Sequence, residues 1–305
     1  MNRLLGMLTV ATLAVTSGYA QTDSTRQNTP DTIRVGNFII VKKNKSQNQS
    51  DNTQEAKQDR SFNITIGNRY RNRSKNKNVS TNWFVFDLGF ANWRDNTNYN
   101  GPAFTGQTAN SGFIRNIPNS SQASNPVNEN SFNLNNGKSS NVNIWLFMQK
   151  RKLVKDVLSL KYGLGLEMYN YRFETNVSFR NSPSPYVYND SINFSKNKLY
   201  AGYLTVPFMI NVTPSPIKHK NLSFSAGVSA GYLIGSRNKQ ISSERGKQKI
   251  NGSLNMKSWR LAAIGELGLG FVRLYGSYSL NTLMQENRTG LKQYPYAMGV
   301  RISCF

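Results

Sequence analysis

The chain has 305 residues, room for one large domain or two small ones, and sets 38 lysines and arginines against 15 aspartates and glutamates for a formal charge of +23. Its single cysteine, Cys304, excludes an internal disulfide framework and any multi-cysteine metal site. The basic residues are scattered through Asn- and Ser-rich stretches rather than gathered on one helix, so the charge suits anionic glycolipid or membrane phosphate, and a nucleic-acid partner is not expected.

Residues 1–20 read as an export signal: Arg3, an apolar run from Leu4 to Val15, and small residues at Gly18 and Ala20 before a cut at Gln21. The apolar run is shorter than the ~20 residues a spanning helix needs. Residues 21–80 are polar, basic and repetitive, as in KKNKSQNQSDNTQEAKQDR, and are expected to form a largely flexible periplasmic segment. Two apolar pieces within it, 33–41 and 62–67, are expected as short strands that pair with each other, leaving open eight or ten strands in all.

From residue 81 to 305 the texture is alternation with period two, the signature of strands with two unlike faces. Eight such segments occur at 82–91, 140–149, 157–171, 199–212, 222–234, 258–269, 272–283 and 294–305. Most reach the ~9–11 residues that a tilted strand needs to cross a bilayer. The connections alternate between long polar stretches (92–139, 172–198, 235–257, 284–293) and brief turns. Together these features predict an all-β fold, an eight-stranded antiparallel up-and-down transmembrane β-barrel with long extracellular loops and short periplasmic turns. That arrangement places the chain in the outer membrane of a Gram-negative bacterium with both termini in the periplasm.

In the segment VLSLKYGLGLEMYNY, Leu158, Leu160, Tyr162, Leu164, Leu166 and Met168 share one face, and Ser159, Lys161, Gly163, Gly165 and Glu167 the other. Hydrocarbon offers backbone groups no partners, so the sheet must close and its polar face must line the interior. The same parity directs Asp87, Lys161, Glu167, Arg260, Glu266, Arg273 and Arg301 inward. Buried charges persist only when paired, so a structural ion network is expected in the lumen. Glu266 and Arg273, placed symmetrically about a tight link at Leu269 and Gly270, are expected opposite one another, and Asp87 at the depth of Arg301. Trp93, Tyr169, Tyr171, Tyr200, Trp259 and Tyr294 fall at the loop-side ends of their segments, the position of an interfacial aromatic girdle. Pro207, lacking a donor, predicts a bulge or a lost ladder bond in its strand.

The stretches YLTVPFMINVTPSPIKHKNLSFSAGVSAGYLI, AAIGELGLGFVRLYGSYSLNTL and YAMGVRISCF resemble the Bacteroidetes PorT-type outer-membrane β-barrel family, over about residues 83–305. The resemblance implies a small barrel without enzymatic chemistry, with one branch of the family tied to assembly of a secretion machine. It also implies a C-terminal aromatic, here Phe305, as the signal read by barrel-insertion machinery.

The only histidine, His219, lies in a short turn rather than at the loop-side rim, and the serines lack an evident base. No catalytic residue, cofactor or metal site is therefore expected, and the function reads as non-enzymatic, structural or surface-binding, with a side-chain-filled lumen. The other readings are a small-solute pore or a secretion or transport accessory barrel, and a soluble periplasmic lipid-binding barrel with its faces reversed. The expected partners are outer-membrane lipid and lipopolysaccharide, the insertion machinery, and a secretion-system or surface partner that the sequence does not name.

Overall fold

The computed structural model describes residues 32–35, 38–42, 62–66, 78–118, 125–154, 157–214 and 222–303. The signal segment, His219, Cys304 and Phe305 lie outside the described residues. The chain divides into an N-terminal unit, 1–73, and a larger unit, 74–305.

In the N-terminal unit β1 (Thr32–Val35), β2 (Phe38–Lys42) and β3 (Phe62–Ile66) form an antiparallel sheet of their own in the order β1-β2-β3. The stretch expected as one strand, 33–41, is thus two strands that pair with each other, Ile33 opposite Ile40, while Ile40 also stands opposite Ile64. The barrel of the larger unit closes with eight strands of its own rather than ten.

The larger unit is built from β4 (Val79–Asp95), β5 (Ser140–Val154), β6 (Leu158–Arg172), the hairpin β7 (Val177–Arg180) and β8 (Tyr186–Asn189), β9 (Lys196–Val212), β10 (Leu222–Ser242), β11 (Gly246–Asn251), β12 (Trp259–Leu269), β13 (Val272–Ser279) and β14 (Gln293–Ile302). Every neighbouring pair is antiparallel, and the order β10-β12-β13-β14-β4-β5-β6-β9 closes through a β9–β10 pairing. The result is a closed eight-stranded antiparallel β-barrel, with β11 added to the end of β10. Closure removes the free edges that would leave backbone donors and acceptors unpaired.

The period-two pattern becomes an inside and an outside. On β6 every odd position from Ser159 to Tyr171 is buried and every even one lies partly exposed on the outer wall. Phe84, Phe86, Leu88, Phe90, Val206, Phe208, Phe224, Val228, Leu261, Leu274, Met298 and Ile302 form an exposed apolar belt around the barrel. Monomeric soluble proteins rarely expose a continuous patch of this kind.

Two irregularities adjust the walls. On β5 the pairing with β6 slips at Leu146, so Trp145 and Met148 both point inward, and on β4 Asn82 and Val85 do the same around Phe84, whose φ is 54°. Such bulges increase local twist and re-aim side chains. At Pro207 the ladder to β10 continues, but on the β6 side the register passes from Tyr162–Phe208 to Gly165–Thr205 without intervening pairs. The missing donor of proline therefore costs the barrel a local stretch of ladder on one side.

The four long connections fold together. Phe104, Phe113, Ile114, Val127, Phe132 and Leu134 from the first, Val177, Phe179 and Val187 from the β7–β8 hairpin, Leu254 and Met256 from the third, and Leu283, Met284 and Leu291 from the fourth share one apolar core. That core continues onto inward residues of the barrel's loop-side end, among them Trp93, Tyr171, Leu199 and Tyr203. Asn- and Ser-rich segments thus close the mouth as a packed cap, each supplying a few large apolar side chains to a shared centre.

Candidate functional site: the ion-paired bore beneath its cap

All seven charged residues assigned to the lumen, Asp87, Lys161, Glu167, Arg260, Glu266, Arg273 and Arg301, are buried inside the barrel, each at most 7% exposed. Four cations face three carboxylates. Lys161 and Arg301 each pair with Glu266, and Arg273 Nη1 lies 3.9 Å from it. Arg301 also grips Asp87 with two contacts, Nε–Oδ1 at 2.6 Å and Nη2–Oδ2 at 2.7 Å, a fork geometry that fixes both side chains. Asp87 and Arg301 are direct register partners across the β4–β14 seam. Higher in the bore, Arg260 Nη1 donates to Glu167 Oε2 at 2.9 Å, and Thr205 Oγ1 donates to the same oxygen at 3.2 Å.

The register corrects one expectation. The β12–β13 turn is Gly270–Phe271, centred one residue later than expected, so Glu266 stands opposite Tyr275 and Arg273 opposite Gly268. Arg273 therefore reaches Glu266 diagonally, with its Nη1 also donating to Ser223 Oγ at 3.0 Å.

Partners that charge patterning did not single out complete the network. Trp145 Nε1 and Asn143 Nδ2 donate to Asp87 Oδ2 at 2.8 and 3.0 Å, and Tyr275 donates its hydroxyl to Asn141 Oδ1 at 2.6 Å. Arg301 lies 5.0 Å from the Trp145 ring centre and Arg260 4.8 Å from that of Tyr169, so aromatic faces supply further neighbours for the guanidinium groups. The inward parity of Asn141, Asn143 and Trp145 is readable in NVNIW, but register, which parity does not give, makes Asn143 and Trp145 share Asp87 as acceptor while Asn141 donates to Asn143 Oδ1 at 2.9 Å.

The expected aromatic girdle divides in two. Trp259 is exposed on the outer wall, and Tyr200 and Tyr294 occupy outward positions on β9 and β14. Trp93, Tyr169 and Tyr171 do not belong to a girdle: all three are buried inside, Trp93 4.8 Å from Tyr171 between ring centres. Their parity is that of Asp87 and of Lys161, and parity overrides position along the strand. They form instead the floor on which the cap rests.

The cavity lined by Asn143, Trp145, Glu167, Met209, Glu266, Tyr275 and Arg301 measures about 20 Å³, space for about one water molecule. Charges inside and apolar residues outside are also the reverse of what a soluble lipid carrier requires.

No curated protein matches the chain. A family model described as an outer membrane protein beta-barrel domain matches residues 106–285, well over half of the chain and all but the first and last strands of the barrel. Taken with the closed sheet, the outward apolar belt and the polar interior, this match establishes that the chain belongs to the outer-membrane β-barrel family.

Proposed function

We propose that the protein is a non-enzymatic outer-membrane barrel whose bore is sealed and whose working surface is its loop side, in a structural or surface-binding role. The observation that carries this reading is the filled interior: seven charged side chains are buried and paired across the bore, and the four long connections close the mouth over a shared apolar core. A conducting path needs a continuous water-filled lumen, which larger barrels provide and eight-stranded ones fill with side chains. Within the family, the C-terminal strand patterns favour the PorT-type branch.

The orientation belongs to the same reading, with the cap outside the cell and the short turns and both termini in the periplasm. In a Cys304→Ser background, a membrane-impermeant thiol reagent applied to intact cells labels Gln248→Cys, on the exposed β11, and leaves Val157→Cys untouched. The reverse pattern would invert the topology. In planar bilayers the purified protein gives no steady single-channel steps, whereas regular steps of fixed size would replace the sealed-barrel reading with a pore.

A further inference from the structure

The sequence scatters its basic residues, but the fold gathers seven of them on one outer face. At the loop-side ends of four neighbouring strands Arg172 stands opposite Lys198, Lys198 opposite Lys239, and Lys239 opposite Lys249, making one lateral row of cations. Lys196 and Lys247 lie in the row nearer the cap, each opposite Ile241, and Arg237 lies in the row nearer the belt, opposite Tyr200. The alternate residues Asn197, Leu199, Asn238 and Gln240 are buried inside, which fixes the basic set on the outer wall.

Like charges directly opposite one another destabilise a sheet. Lys239 is repelled by Lys247, Lys196, Lys249 and Arg237, and Lys198 by Lys196, Arg237, Lys239 and Arg172. Among the described residues, the ion pairs that form lie elsewhere, in the bore, at Asp190 and at Glu286, and none reaches these seven cations. The Arg237 guanidinium sits 4.9 Å from the Tyr200 ring centre, with its Nε buried and without a hydrogen-bond partner. Lys198 Nζ donates to Asn170 Oδ1 at 2.6 Å and Arg172 Nη2 to the Ser195 carbonyl, but these acceptors are neutral, and among the described residues no carboxylate balances the charge of the row.

Its position identifies the anion. Immediately towards the apolar belt, Gly202 stands opposite Gly235; the Tyr200 ring lies over Gly202, its hydroxyl 2.6 Å from where a Cβ there would be, while nothing lies within 4 Å of one on Gly235, so the wall is open on the β10 side. Below that opening come exposed Leu204, Tyr232 and Trp259, with the two aromatic rings in edge contact at 5.2 Å. An occupant therefore meets cations at one end and an apolar wall at the other, as a lipid does at the membrane surface. The row crosses four strands, about 14 Å at the usual inter-strand spacing, which one phosphate group cannot span.

We propose that this face binds a multiply phosphorylated glycolipid of the outer leaflet, its phosphates on the Arg172–Lys198–Lys239–Lys249 row and its acyl chains along Leu204, Tyr232 and Trp259. The proposal rests on the cap facing the outer leaflet. Its test uses full-length protein in detergent, so it reads the site independently of conductance or topology.

Native mass spectrometry of the protein in non-ionic detergent, titrated in turn with lipopolysaccharide, phosphatase-treated lipopolysaccharide, phosphatidylglycerol and inorganic pyrophosphate, discriminates the ligands. The expected result is preferential retention of the phosphorylated glycolipid, weakened on the order of tenfold or more in Lys198→Gln/Lys239→Gln and unchanged in Lys257→Gln. Heat-modifiable gel mobility checks that the double variant is folded, and exposed Lys249→Gln alone gives a smaller loss in the same direction if it is not. Equal binding of the dephosphorylated glycolipid, equal binding of phosphatidylglycerol or pyrophosphate, or full retention by the variants would each overturn the assignment.

Discussion

Lys161 and Glu167 stand six residues apart on β6, and Arg260 and Glu266 stand six apart on β12. The two strands run in opposite directions on facing walls, so equal spacing with the charge order reversed in height produces two rungs across the bore, Lys161–Glu266 and Glu167–Arg260. Breaking a buried pair by removing one partner costs about 3–5 kcal/mol, because the other charge is left stranded. Glu167→Gln and Arg260→Met are each expected to lower unfolding stability by about that amount, and the double variant by clearly less than the sum. A denaturant titration in lipid vesicles measures this, and simple additivity would argue against the rung.

Asp190 is the corresponding residue in the cap. Burial raises the pKa of its carboxyl, but hydrogen bonds from Tyr188 and Arg245, the charge of Arg245 and the backbone N–H of Ile192 outweigh that and hold it below the usual carboxylate value. A lowered folded pKa contributes stability that is fully present above the unfolded value, about 4, and lost as pH falls through the folded one. The β7–β8 hairpin is therefore expected to resist proteolysis equally at pH 7 and pH 5 and to loosen only in stronger acid, with Asp190→Asn abolishing the difference. Loosening near neutrality would contradict this assignment.

These residues also show what sequence can deliver. The charges of the bore were legible because period-two parity sorts them without knowledge of partners. Trp93, Tyr169 and Tyr171 were misplaced because nearness to a strand end was weighed above parity. The pairing partners themselves depend on register, which a one-residue shift in the Gly270 turn or a bulge at Leu146 alters.

At the scale of elements, all eight barrel strands were visible as alternating segments, each within a few residues of its observed extent except the loop-side extension of β10. That extension, with β11, arises from a polar sequence whose pairing is decided by the β9 edge and the cap. The first and last strands of the barrel, β4 and β14, pair with each other, and at that seam Gly89 stands opposite Gly299. A Cβ on Gly89 would lie 2.3 Å from the Met298 carbonyl oxygen and 2.6 Å from the Tyr275 hydroxyl, and one on Gly299 2.3 Å from the Leu88 carbonyl oxygen. The seam thus needs glycine on both sides so that Tyr275 can pass over it to reach Asn141. Gly89→Ala is expected to reduce sharply the fraction that runs as the compact, heat-modifiable species in gels, while Gly270→Asn, in a left-handed turn at φ 64° that asparagine tolerates, leaves it nearly unchanged. Normal compaction of Gly89→Ala would show that the seam is less tight than described.

At the scale of the whole molecule, three zones stack along one axis: ion pairs towards the short turns, aromatic residues in the upper bore, and an apolar-centred cap above. The cap was the least legible part, since its core residues lie singly or in pairs, as at Phe113–Ile114 and Leu283–Met284, in polar stretches and show no period of their own. The central claim is that hydrocarbon surrounds the barrel and charged and aromatic side chains fill it. The four tryptophans divide evenly across that boundary: Trp83 and Trp259 are 60% and 59% exposed on the outer wall, Trp93 and Trp145 8% and 2% exposed within. Single-tryptophan variants reconstituted with brominated lipid read the division directly. Strong quenching of Trp83 and Trp259 with Trp93 and Trp145 spared is the predicted result, and quenching of Trp145 or protection of Trp83 and Trp259 would contradict it.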